Sequence, residues 1–315
     1  MNDIFSLFII YISLFLFGMT VMRQGLIQLQ GRKLSVILQK AVDHPGKGML
    51  LGAVVTALLQ SSSAVMVITV GLVASKVISF RHSIGIILGA NIGTVITLEI
   101  LAFDLSWLIF PLLLLGVPLI MTKSQLLFCT GCFLFGFSSI IVAMHGFEAL
   151  AYPLSSVPAV YDWLLTANSH EVVSITIGIL LSAVIQSSSA VTAIAMSFMN
   201  ETLLTLPGGI GIMLGANLGT CATAWLSSLG GSKESKLTAY AHIWLNLFGI
   251  FLFFPFIQLF AAIVGNLGSS PAQQLAHATL IYNVICSLIV FPFLEPFSKF
   301  LQWIHRTPLT EYPLK

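Results

Sequence analysis

The sequence predicts an all-α polytopic membrane protein made of two inverted-topology repeats, each with a re-entrant helical hairpin carrying the tetrapeptide QSSS, plus a final transmembrane helix. Three observations lead there. Hydrophobic residues make up 57% of the 315 positions and charged residues 8%, with a mean hydropathy of +1.00; an ordinary soluble domain has about 25% charged residues. The apolar runs reach the roughly 17–25 residues of a spanning helix, not the ten-residue alternation of a barrel strand. Two separated motifs recur at one offset: Gln60 returns as Gln186, and LGANIGT from Leu88 returns as LGANLGT from Leu214, each 126 positions on with no gap.

The elements follow in chain order. The run at 4–22 lacks a basic start and a small-residue cleavage site, so it is expected as a retained first span and not a signal peptide. A linker with Arg23, Arg32, Lys33, Lys40 and Lys47 follows; within it DHPGKG (Asp43 to Gly48) reads as a turn, because the spacing and flanking strand of a P-loop are missing. The first QSSS region, 49–75, fits two half-helices of ~20 Å each, enough to reach the middle of a ~30 Å hydrocarbon core and return. Lys76 and Arg81 come next, so both ends of this region are basic and expected in the cytoplasm.

Spans are expected at 83–103, 105–121 and 125–146. The second QSSS region, 171–200, is preceded by Glu148, Asp162 and Glu171 and followed by Glu201, with no Lys or Arg at either end, so both of its ends are expected outside. Further spans lie at 204–229, 237–262 and 273–298. The N-terminus then lies outside and the C-terminus in the cytoplasm, and all 13 Lys and Arg fall on the cytoplasmic side, including Lys123, Lys233, Lys236, Lys299, Arg306 and Lys315. Residues 1–121 form the first repeat, 122–262 the second, and 263–315 the last helix with a short tail. Three crossings per repeat is an odd number, so the second unit is upside down and the hairpin tips approach from opposite faces. That is the plan of secondary transporters with broken helices at a midplane site.

Gln60, Ser61, Ser62 and Ser63, with Gln186, Ser187, Ser188 and Ser189, are the candidate site. An unpaired amide or hydroxyl in hydrocarbon is unfavourable by roughly 2–7 kcal/mol, and irregular backbone at that depth is tolerated only inside protein or against a watery cavity. A hairpin tip offers free N–H groups at the start of its second helix, which suit a small anion, and free C=O groups and amide oxygens, which suit a hard cation such as Na⁺. Single serines glue membrane helices together routinely; the symmetric duplication of QSSSA favours a binding role. Gly85, Gly89 and Gly93, and Gly211, Gly215 and Gly219, are spaced by four and suit close helix contact. Asn91 with Thr94, and Asn217 with Thr220, share a helix face and are read as supports or direct cation ligands. No Lys or Arg is expected deep in the membrane, so dipoles and co-bound cations would balance an anion. Glu99 reads as a solvated rim carboxylate, and His242, Asn246, His277 and Asn283 as packing or coupling groups.

Other classes are disfavoured. Cys129 and Cys132 form a CxxC with no second pair, and with Cys221 and Cys286 they imply neither a zinc site nor a disulfide framework. No catalytic set and no HExxH is present, so no enzyme is expected. The net charge of +2 gives no reason to expect nucleic acid as a partner.

The paired QSSSA segments, each followed by GAN[IL]GT, and the later AHIWLN and AHATLIYN resemble the type II sodium–phosphate cotransporter family in its bacterial branch, from about residue 4 to 298. The resemblance implies a sodium-coupled symporter of inorganic phosphate in the inner membrane. Substrate would be held by alternating access between the two QSSS hairpins, with Na⁺ as coupling ion and no further cofactor. It implies that Gln60 to Ser63 and Gln186 to Ser189 line the shared site; Na⁺ sites are expected among Gln60, Ser63, Asn91, Gln186, Ser189 and Asn217. The second loop has Val191-Thr192 where the first has Val65-Met66, which makes Thr192 the better ligand candidate. His242 maps onto Gly116, which leaves the number of Na⁺ ions open. Phosphate, Na⁺ and the lipid bilayer are the expected partners, and a homodimer is compatible with such a fold. With about seventeen residues after the last span, no soluble regulatory tail is expected. The alternatives are a Na⁺-coupled transporter of another small anion, or a passive anion channel or sensor scaffold with structural hairpins.

Overall fold

The computed structural model describes residues 2–39 and 44–307, without the side chains of 2 and 30–39. The expected cytoplasmic positions Arg32, Lys33, Lys40 and Lys315 therefore lie outside the described side chains. The described residues contain no strand. Their helices are α1 (Asn2–Gln39), α2 (Pro45–Leu59), α3 (Ser62–Ala74), α4 (Phe80–Leu101), α5 (Ile109–Ile120), α6 (Gln125–Ser155), α7 (Pro158–Ser169), α8 (Glu171–Ile185), α9 (Ser188–Asn200), α10 (Leu206–Gly219), α11 (Cys221–Ser228), α12 (Lys233–Phe253), α13 (Ile257–Val264), α14 (Pro271–Val290) and α15 (Leu294–Ile304).

Six helical stretches are long and apolar enough to cross a membrane: Asp3–Leu29, Phe80–Leu101, Gln125–Ser155, Leu206–Ser228, Lys233–Val264 and Pro271–Ile304. The expected span 105–121 is the apolar stretch Ser106–Ile120, a 3-10 turn, Ser106–Leu108, leading into the 12-residue α5, and at ~2.0 and ~1.5 Å per residue the two cover about 24 Å. Asp104 fixes its start by accepting hydrogen bonds from the amide and hydroxyl of Ser106, and Pro118 sits in its last turn. Proline also interrupts the last two long stretches, at Phe254-Pro255-Phe256 and Phe291-Pro292-Phe293, where a missing N–H turns the helix 3-10.

The two QSSS regions share one backbone arrangement. Gly85, Gly89 and Gly93 of α4 meet the backbone of Pro45, Met49 and Ala53 of α2 in turn. Gly211, Gly215 and Gly219 of α10 meet Glu171, Ile175 and Ile179 of α8 in the same order, each pair 126 positions on. Both numbers rise together, so α2 runs parallel to α4 and α8 to α10. Because Pro45 and Gly85 share a level, α3 must bring the chain back to where α2 began, and α9 does the same between Glu171 and Gly211. The ends of these returns match too. Lys76 and Thr202 both have φ 59°, and the amides of Val77 and Leu203 bond the carbonyls of Leu72 and Phe198 at 2.9 and 3.0 Å.

Helices α1 and α6 pack on each other in the opposite sense: Tyr11 lies against Gly146, Gly18 against Gly136 and Gly25 against Cys129. One number falls as the other rises, so the pair is antiparallel. Both carry the tetrapeptide FLFG, at Phe15–Gly18 and Phe133–Gly136, and the equivalent rings Phe17 and Phe135 meet edge to face at 6.4 Å. The main core joins this pair to α4, α9, α10 and α14 through Phe15, Ile140, Phe147, Leu98, Val191 and Tyr282.

Candidate functional site

Each QSSS segment is a helix break. Gln60 ends α2 and Gln186 ends α8 in the left-handed region, at φ 53° and 57°. For a residue with a Cβ that conformation is unfavourable by roughly 1–2 kcal/mol, and strain of this kind gathers at functional positions. Ser61 and Ser187 are then N-caps: their hydroxyls accept from the amides of Ala64 at 3.1 Å and Ala190 at 3.2 Å. Ser62 and Ser63 fall in the first turn of α3, Ser188 and Ser189 in the first turn of α9. The remaining first-turn amides carry the partial positive end of the helix dipole.

Among the described residues, none partners the hydroxyls of Ser62, Ser63, Ser188, Ser189 or Thr192, nor the side-chain amides of Asn91 and Gln186. Ser188 and Ser189 are 7% and 6% exposed and Thr192 only 1%; Ser62, Ser63 and Asn91 are half-buried and Gln186 is exposed. Unlike the sealed Thr56 Oγ1, these hydroxyls are open to solvent, where a ligand can meet them. The supporting threonines are used differently. Thr94 donates back to the Ala90 carbonyl at 2.8 Å and Thr220 to the Ala216 carbonyl at 2.7 Å, so what they offer a ligand is lone pairs. Asn217 donates to the Met213 sulfur at 3.6 Å.

Gln60 is tied down. Its Oε1 accepts from the Thr97 hydroxyl and its Nε2 donates to the Ala57 carbonyl. The two QSSS loops share no hydrogen bond with each other among the described residues; α3 and α9 both pack on α4 and on α1. No group of three or more His, Cys, Asp or Glu among the described residues could hold a metal ion, so a cation here would meet neutral oxygens.

Other polar groups landed apart from expectation. Glu99, expected as a solvated rim carboxylate, is only partly exposed and meets His277 Nδ1 at 3.0 Å across α4 and α14. His242 is buried with Nδ1 unpartnered, while Asn246 donates to the His242 carbonyl at 2.9 Å. Arg23 lies late on the first spanning stretch, with Nε sealed from solvent and no partner among the described residues. A cleft of about 550 Å³ opens beside Asp104, His145, Glu148 and Glu201; none of the QSSS residues lines it. Hydrogen bonds from Ser106 hold the Asp104 carboxyl below its ordinary range.

Sequence reasoning missed Thr97, Thr223, Thr56 and Ser182. The signal was present, since Thr97 stands 126 positions before Thr223 and Thr56 before Ser182, but none of them lies in a repeated word.

The family described as Na⁺/Pi-cotransporter matches residues 14–149 and 155–288. YqeW of Bacillus subtilis (strain 168), whose name assigns it no activity, is 37% identical over 290 residues, covering 92% of this chain and 94% of its own. YjbB of Escherichia coli (strain K12), whose name proposes inorganic phosphate export, is 25% identical over 296 residues; these are 94% of this chain but 54% of YjbB, so this chain spans about half of that relative. The human sodium-dependent phosphate transport protein 2B is 46% identical over 61 residues, 19% of this chain and 9% of its own. No solved structure matches.

Proposed function

The chain belongs to the Na⁺/Pi-cotransporter family, and from that premise we propose that it couples Na⁺ to the passage of inorganic phosphate across the inner membrane. Residues 1–121 and 122–262 act as two inverted units, with 263–315 as the closing helix and tail. The QSSS breaks are the tips of re-entrant hairpins, and phosphate is held between them. Ser62, Ser63, Ser188, Ser189 and Thr192 donate to its oxygens with the first-turn amides of α3 and α9. Na⁺ sits among the oxygens of Gln60, Ser63, Asn91, Gln186, Ser189 and Asn217, where its charge offsets that of the anion; Thr94 and Thr220 add lone pairs. The N-terminus faces outside and the C-terminus the cytoplasm.

The observation that carries this reading is the set of partnerless hydroxyls at two matched helix starts. Inversion is supported by the antiparallel packing of α1 and α6, because equivalent helices related by a twofold axis in the membrane plane must run in opposite directions.

The test is flux in liposomes. Purified protein should take up labelled phosphate under an imposed inward Na⁺ gradient and not when K⁺ replaces Na⁺. Arsenate should compete strongly, sulfate and succinate should not. Phosphate flux indifferent to Na⁺ would leave a passive channel, and competition by succinate would shift the substrate class.

The name of the E. coli relative favours a second reading, net export. A coupled carrier runs whichever way the summed gradients point, so the same liposomes loaded with Na⁺ and phosphate should release phosphate. Retention there, with uptake intact, would exclude export.

A further inference from the structure

The two halves of this molecule hold equivalent hydroxyls in opposite arrangements. In the first half, Thr97 bonds Gln60. In the second, the equivalent pair Thr223 and Gln186 is apart: Gln186 is exposed, and the Thr223 hydroxyl donates to the Thr220 carbonyl of its own chain at 2.8 Å. The reverse holds one turn away. Ser182 meets the Thr220 hydroxyl at 3.2 Å in the second half, whereas its equivalent Thr56 in the first half is 0% exposed with Oγ1 sealed and unpartnered, and Thr94 bonds only the Ala90 carbonyl.

The backbone explains the difference. Helix α4 runs unbroken through Thr94 and Thr97, which keeps Thr97 on the face that meets the end of α2. Its counterpart is interrupted at Thr220, between α10 and α11, where the Thr223 amide bonds the Thr220 carbonyl at 3.2 Å. At that break the Thr223 hydroxyl bonds within its own segment and not Gln186. One repeat sequence is thus present in two conformations in a single molecule.

Resting on the transport reading above, we infer that Thr97 and Thr223 are matched positioning residues, each holding the glutamine of its own QSSS loop in alternate states of the cycle. In the state described here the Gln60 loop is latched and the Gln186 loop is free. In the opposite-facing state the halves exchange arrangements: α10 and α11 join into one helix, Thr223 captures Gln186, α4 breaks near Thr94, and the Thr56 hydroxyl gains Thr94 as its partner. Two packings of one element, each stabilised by its own bonds, are what a two-state transporter needs.

Hydrogen–deuterium exchange of the purified full chain in detergent tests this, beside phosphate flux in liposomes. In wild type, amides of 57–64 should exchange more slowly than those of 183–190. Thr97→Val should raise exchange at 57–64 about 2- to 10-fold, the range of one neutral hydrogen bond, and lower it at 183–190. Thr223→Val should leave the wild-type exchange pattern and cut flux several-fold, because the latch it lacks belongs to the other state. Thr97→Ser and Thr223→Ser keep the hydroxyl and should keep the wild-type pattern, which separates loss of the latch from loss of the fold. A Thr97→Val change confined to 57–64, or wild-type flux in Thr223→Val, would overturn the alternation. The exchange arms read the latch even if wild type moves no phosphate with Na⁺, so failure of the transport reading and failure of the latch give different results.

Discussion

Gly18 and Gly136 stand opposite one another where α1 crosses α6, and each backbone carbonyl occupies the space in which the other's Cβ would lie. They close the same tetrapeptide, FLFG, in the two helices. Both helices reach backbone-to-backbone distance only because neither carries a side chain there. Gly136→Val should therefore destabilise the protein by about 1–3 kcal/mol, the range for overpacking a tight contact. Gly71 is a control of the opposite sign. It lies in α3 with nothing within 4 Å of the point a Cβ would occupy, so Gly71→Ala should be neutral or stabilising by up to about 1 kcal/mol. Thermal unfolding in one detergent, run on both variants, reads the difference.

Neighbouring serines in one loop should separate by what they lose. Ser61 and Ser187 cap helices, so Ser61→Ala and Ser187→Ala should each lower stability by about 0.5–2 kcal/mol. Ser62 and Ser188 have no protein partner among the described residues, so Ser62→Ala and Ser188→Ala should stay within about 0.5 kcal/mol of wild type while phosphate flux falls several-fold. Paired unfolding and flux measurements would show it; wild-type flux in both Ser62→Ala and Ser188→Ala would return those serines to a packing role.

How much of the fold and site is legible in the sequence follows from where each signal lies. The helix breaks and the glycine ridges are legible because both rest on short words repeated at a fixed offset, and the ridge partners are fixed by the four-residue spacing. The FLFG pair escapes because its copies stand 118 positions apart and not 126, so it falls out of register with the other motifs. The Gln60–Thr97 bond joins residues 37 apart through a left-handed turn, and the Glu99–His277 pair joins residues 178 apart; neither has a local pattern.

The C-terminal helix should respond to mild acid. His305 stacks on Tyr240 with ring centroids 3.9 Å apart and accepts a hydrogen bond from Trp244 Nε1 at 3.1 Å. Burial holds the imidazole below its ordinary value of 6.5. The folded state thus favours the neutral ring, and its contribution is complete above about pH 6.5 and is lost as pH falls from there toward the lowered folded value. Thermal unfolding of His305→Phe, which keeps the stack without a titrating nitrogen, should lose this part of the pH dependence between pH 7 and 5. An unchanged pH profile in the variant would place that sensitivity elsewhere.

The account depends on two inverted loops that enter the membrane from opposite faces. Single cysteines at Ser62 and Ser188, in a background with Cys129, Cys132, Cys221 and Cys286 replaced, can be probed in sealed vesicles of known orientation with a membrane-impermeant thiol reagent. The prediction is that Na⁺ and phosphate change which of the two is reached from a given side, and that the two respond in opposite directions. Labelling of both positions from one and the same face under every ionic condition would contradict it.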